Sequence, residues 1–126
     1  MKKILVAAVF ACCLFAVAAA SQAGEKYRVG GMTYGLAGAY MKLWATSLER
    51  HPAVKSGLVE LTIFDGRYDA SVQQSQFETC AAQGYDALIF VPIDIEAGAA
   101  AVATAVAQDV LVVGSNTRVN SDLLAA

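Results

Sequence analysis

The sequence predicts an α/β domain built on an open parallel sheet with helices on both faces, and three observations carry that expectation. Ala87-Leu88-Ile89-Phe90-Val91 is an apolar run without polar alternation, the pattern of a strand buried on both faces of a parallel sheet. Pro92 stops that ladder because it has no N–H to donate, and Asp94 and Glu96 then open an alanine-rich helix. This arrangement sets polar side chains at the carboxyl edge of the sheet, where open α/β sheets bind small ligands. Lastly, four apolar strands alternate with three helical stretches. That is the order of βαβ units, whose right-handed crossovers make the sheet parallel.

In chain order, Tyr27-Arg28-Val29-Gly30-Gly31-Met32 forms the first strand, with glycines that allow another backbone to approach closely. Residues 33–38 (TYGLAG) form a flexible loop. The next helix is expected over 39–50, with Tyr40, Leu43, Trp44 and Leu48 along one face, and His51-Pro52 ends it. The second strand covers 59–64 (VELTIF), and Asp65-Gly66 is its turn. A helix over 70–83 carries Val72, Phe77 and Cys80, with its glutamines on the wet side and Gly84 as its cap. The central strand at 87–91 follows, then a helix over 96–108 rich in alanine and valine that packs close to the sheet. A fourth strand at 110–114 leads into Ser115-Asn116-Thr117-Arg118.

A chain of 126 residues fits one domain. Its hydrophobic content, 57%, is high for a soluble fold, and residues 1–23 account for much of the excess. Met1-Lys2-Lys3 is a basic start, Ile4 to Ala20 is uninterrupted apolar sequence, and Ser21-Gln22-Ala23 reads as a small-x-small cleavage site. Residues 1–23 are therefore read as a secretory signal peptide and residues 24–126 as the folded domain. A retained membrane anchor is the competing reading, and lipoprotein processing at Cys12 is disfavoured by the bulky Phe10. Cys12 and Cys13 lie inside the leader, which leaves Cys80 alone in the mature chain and no intramolecular disulfide. Lys2 and Lys3 also leave with the leader, out of nine basic residues, while all eleven acidic residues remain. With no basic run in view, nucleic acid and anionic lipid are poor partners. Export without disulfides points to a bacterial periplasm.

Catalysis has little to work with. His51, at a helix end, reads as a solvated residue, and Cys80, on an apolar helical face, reads as packing. No nucleophile elbow, zinc helix or cluster of metal ligands is present, and no cofactor is expected. The glycines at 30, 31, 35 and 38 do not match the G-x-G-x-x-G fingerprint. Small-ligand binding fits better. Thr33, Tyr34, Asp65, Asp94, Asn116, Thr117 and Arg118 all fall at strand ends along one rim, where they offer donors and acceptors to sugar hydroxyls. Tyr34 and Tyr40 are suited to stack on the apolar face of a sugar ring. The plainer reading of the same residues is that Asp65 stabilises a turn, Asp94 caps a helix, and Tyr40 and Trp44 are core.

The order of these elements resembles the N-terminal lobe of periplasmic sugar-binding proteins of the ribose/galactose type, the soluble receptors of ABC importers. The resemblance runs from Tyr27 to Arg118. It rests on Asp65, on Gln83-Gly84-Tyr85-Asp86-Ala87-Leu88-Ile89, on Pro92-Ile93-Asp94 and on Val112-Val113-Gly114-Ser115-Asn116-Thr117-Arg118. It implies a Rossmann-like or flavodoxin-like lobe with strand order 2-1-3-4. It also implies a sugar or polyol ligand, and an ABC permease of the inner membrane as partner. The family's aromatic at the start of the first helix falls on Tyr40, its hydroxyl-reading polar residue on Asn116, its arginine on Arg118, and its strand-end polar residue on Thr33. Two departures set ribose itself aside: Ala37-Gly38-Ala39-Tyr40 stands where the family often has Asn-Pro-Phe-Phe, and Val91 stands where a polar residue often precedes the proline. The family's receptors have a second lobe, so the chain is expected to be a truncated half. Its last strand would then be an open edge that invites self-association. Two other classes compete: an exported flavodoxin-like enzyme using Asp65 or Asp94, and a ligand-sensing lobe such as those of repressors.

Overall fold

The computed structural model describes residues 26–120 and residue 122. The leader expected at 1–23, with Cys12, lies outside the described residues. Four strands, β1 (Tyr27–Thr33), β2 (Val59–Asp65), β3 (Ala87–Phe90) and β4 (Leu111–Gly114), form one sheet in the order β2-β1-β3-β4. All three pairings are parallel, as the resemblance implied. Their register aligns the carboxyl ends: Thr33 faces Asp65, Met32 faces Phe90, and Phe90 faces Gly114. The loops that follow the strands therefore open along a single rim.

Helices α3 (Ala70–Ala82) and α4 (Ile95–Val106) share one face of the sheet. There Phe77, Cys80, Ala101 and Ala105 close over Met32, Leu88 and Phe90, all buried. The alanines of α4 carry no bulk, and Ala99, Ala101 and Ala105 are buried. Helix α1 (Ala39–Glu49) lies on the other face, where the bare backbone of Gly31 admits it: a Cβ there would sit 3.2 Å from Leu48 Cδ1 and 3.6 Å from Trp44 Cη2. On that face the cover is incomplete, and Leu111 and Val113 of β4 stay exposed.

Three sequence expectations need correction. The buried stripe of α1 is Met41 and Ala45, so Tyr40 and Leu43 point outward rather than along the core face. His51-Pro52 ends α1 but also starts a further helix, α2 (Pro52–Lys55), with Pro52 in its first turn and His51 as its cap. The His51 Nδ1 accepts the N–H of Ala53 at 3.2 Å. The glutamines of α3 are not all on the wet side, since Gln73 is buried.

Cys80 is fully buried, and that burial pushes its thiol from an ordinary 9.0 up to about 11. The unfolded chain loses this proton near 9 while the folded chain holds it. Stability from this group is thus whole below pH 9 and is lost as pH rises toward 11. Urea titrations at rising pH should show a fall between those values that is absent in Cys80→Ala. Equal slopes in the two proteins would refute a thiol held neutral by burial.

Candidate functional site

The rim is organised by side chains that tie loops to strand ends. Asp65, last residue of β2, accepts the N–H groups of Leu36 at 3.0 Å and Arg67 at 2.9 Å through one carboxylate oxygen, Oδ1. It clamps the 34–38 loop to the turn after β2, so the turn-stabilising reading of Asp65 holds. Asp94 caps α4, its Oδ1 accepting Glu96 N–H at 2.9 Å and Ala97 N–H at 2.8 Å. Asp69 does the same for α3, and the bonds from the Ser71 hydroxyl and from the Ser71 and Val72 N–H groups hold its carboxyl below the usual range.

Gln73 reaches into the same edge from α3. Its Nε2 donates to the carbonyls of Thr33 at 3.2 Å and Val91 at 3.0 Å, while its Oε1 accepts Ile93 N–H at 3.1 Å. One amide thus joins the ends of β1 and β3 and fixes the Pro92 turn. Helical spacing did not single it out, because its partners are 40 and 18 residues away in sequence.

Asn116 has φ 68°, left-handed backbone that asparagine tolerates better than most residues. Its Oδ1 accepts the Tyr40 hydroxyl at 3.1 Å, which joins the β4 loop to the first turn of α1. One turn further along α1, Trp44 Nε1 donates to Ser115 Oγ at 3.1 Å. Trp44 is half-buried, whereas Tyr40 is exposed and at the lip. With Oδ1 engaged, the exposed Asn116 amide has its two N–H donors left to offer. Arg118 is exposed two residues on.

Of the six binding residues expected from sequence, Tyr40 and Asn116 are in direct contact, and Asp94 and Arg118 lie exposed on neighbouring loops. Thr33 stands at the rim by its backbone, but its side chain is fully buried and its hydroxyl donates to Phe64 O at 3.1 Å. Tyr34 is half-buried and packs on Tyr68, ring centroids 5.6 Å apart. The sequence reading passed over Tyr68, although its place three residues after the strand-ending Asp65 was a signal that the loop reaches the rim.

The result is an open parallel α/β lobe whose strand ends carry aromatics, an amide and a guanidinium along one rim. The chain belongs to the periplasmic binding protein domain family, whose model matches residues 29–125. Among solved structures, the chain is similar to an ABC transporter solute-binding protein from Burkholderia multivorans, with 20% identity and a TM-score of 0.73 over 81% of this chain and 37% of that one. It is also similar to the Caulobacter myo-inositol binding protein bound to myo-inositol, with 24% identity and a TM-score of 0.70 over 77% of this chain and 32% of that one. A third, the Actinobacillus succinogenes ABC transporter periplasmic solute-binding protein with bound D-allose, gives 16% identity and a TM-score of 0.67 over 78% of this chain and 34% of that one. The chain therefore spans about a third of the length of these proteins. No curated protein matches it.

Proposed function

We propose that the chain is the ligand-gathering N-terminal lobe of an exported receptor, which binds a sugar or polyol in the periplasm and delivers it to an ABC permease without chemistry. The observation that carries this reading is the Tyr40–Asn116 contact, which brings an exposed aromatic and an exposed amide together at the carboxyl edge. The inositol- and allose-bound relatives support the ligand class. The competing enzyme reading needs Asp65 or Asp94 as a reactive carboxylate, and each already spends an oxygen on two backbone N–H groups. Asp94 keeps its second oxygen for a ligand hydroxyl. The leader reading of residues 1–23 supports export. Because β4 is one of the two edge strands among the described residues and exposes Leu111 and Val113, self-association through that edge belongs to the same proposal.

Calorimetry of the chain against D-ribose, D-allose and myo-inositol tests it, with product analysis of the same mixtures. Stoichiometric heat without conversion is expected. Asn116→Gly keeps the left-handed backbone but removes the amide, and should weaken binding about tenfold. Turnover of any probe, or affinity unmoved by that substitution, would refute the proposal.

A further inference from the structure

The turn after β2 holds two consecutive non-glycine residues in left-handed backbone, Arg67 at φ 52° and Tyr68 at φ 58°. A bulky side chain adopts this conformation only where its surroundings over-determine it. Here they do. Tyr68 N–H donates to Tyr34 O at 2.7 Å, and Arg67 N–H is held by Asp65. The Tyr68 ring packs against bare backbone at Gly35, where a Cβ would clash with its ring carbons. Its hydroxyl reaches the start of α1, 3.5 Å from where a Cβ on Gly38 would be. The Tyr34 ring braces it at 5.6 Å, tilted by 49°.

Despite this bracing Tyr68 as a residue is 56% exposed, and it takes no part in the buried core. The strain therefore does not serve burial. It holds an aromatic ring still on the rim, with its hydroxyl beside Gly38, the residue that caps α1 two positions before Tyr40.

Resting on the sugar-receptor reading, we infer that Tyr68, seated on Gly35 and braced by Tyr34, is a fixed aromatic wall that selects ring-shaped ligands, pyranoses or cyclitols, over open-chain polyols. A ring presents a patch of C–H groups that an aromatic face covers well, and a ring already rigid loses little freedom on stacking. An open-chain polyol carries hydroxyls on every side and must freeze its torsions to offer any such patch.

The test is a titration followed by NMR amide shifts, with D-allose and myo-inositol as ring probes and glycerol and erythritol as open-chain probes. Wild type should prefer the rings, with saturation transfer strongest on their C–H protons. Asparagine accepts left-handed backbone, so Tyr68→Asn should melt at the same temperature or higher, lose about tenfold in ring affinity and leave glycerol affinity unchanged. Tyr68→Phe should restore ring affinity. Gly35→Ala displaces the ring and should reproduce the Tyr68→Asn loss, with no further loss in the double variant. Ring affinity within twofold of wild type in Tyr68→Asn, or an equal loss for rings and glycerol, overturns the inference while leaving the receptor reading intact. Wild type that binds none of the probes overturns both.

Discussion

Gln73→Leu is expected to lower the unfolding free energy by roughly 3 kcal/mol, although leucine matches glutamine in size and suits a buried site. The reason lies in what the amide serves. Gln73 is 3% exposed, and its loss strands the Val91 carbonyl and the Ile93 N–H, while Thr33 O keeps only the bond from Gly66 N–H at 3.1 Å. Each buried backbone group left without a partner costs about 1–3 kcal/mol, more than the transfer gain from the added apolar surface. Gln73→Glu separates shape from hydrogen bonding. It buries a charge and removes both donors at neutral pH, so it should be at least as damaging there. It should then recover partly as pH falls, because burial raises the carboxyl's pKa above the ordinary glutamate value and the protonated form regains an O–H to donate. Urea unfolding at pH 7 and pH 5, with amide exchange at Ile93 as the local readout, decides the matter. A Gln73→Leu protein as stable as wild type, with Ile93 still protected, would mean that the strand ends do not depend on this side chain.

Phe77→Ala should cost still more, about 3–5 kcal/mol. Phe77 is fully buried and meets Phe90 edge to face, with centroids 4.7 Å apart and planes at 78°. Around that pair stand Met32, Leu88, Ala101 and Ala105, and small α4 side chains cannot swing in to fill the space a phenyl ring leaves. A domain of this size has only about 5–15 kcal/mol in hand, so the variant should be marginal at body temperature. Leu43→Ala is the control, because Leu43 is 66% exposed and its removal should change stability by less than about 0.5 kcal/mol. Denaturant titrations of both variants read the difference directly. A small effect at Phe77 and a large one at Leu43 would place the core on the opposite side of the sheet.

Much of the molecule could be read without a structure. The central strand and its Pro92-x-Asp94 turn lie where the unbroken apolar run predicted, although only Leu88 and Phe90 are fully buried and Ala87 and Ile89, on the incompletely covered face, are half-buried. Asp94 caps α4, and Gly84, with φ 68°, follows the last turn of α3, since helix ends are set by local chemistry within a few residues. The family motif placed Tyr40 and Asn116 at the rim, and they meet there.

The misreadings share one physical origin. Helical spacing on α1 named a stripe through Tyr40 and Leu43, yet the helix rolls so that Met41 and Ala45 face the sheet, with Gly31 giving room for Leu48 and Trp44. Polarity alone put Gln73 in water, and it is buried because three backbone groups from distant segments converge where its amide sits. Thr33 ends its strand at the rim, but the alternation of a pleated strand turns its hydroxyl inward to Phe64 O.

What the sequence by itself determined is the order of the strands and of the three main helices, the ends of those helices and the sheet edge along which polar residues gather. All of these follow from patterns a few residues long. What only the tertiary structure decided is which polar side chains stay exposed at the rim and which hold the strand ends together. That choice depends on partners brought close by the parallel crossovers, as with Tyr68 resting on Gly35 and Gln73 bridging Thr33 and Val91, and no local pattern encodes it.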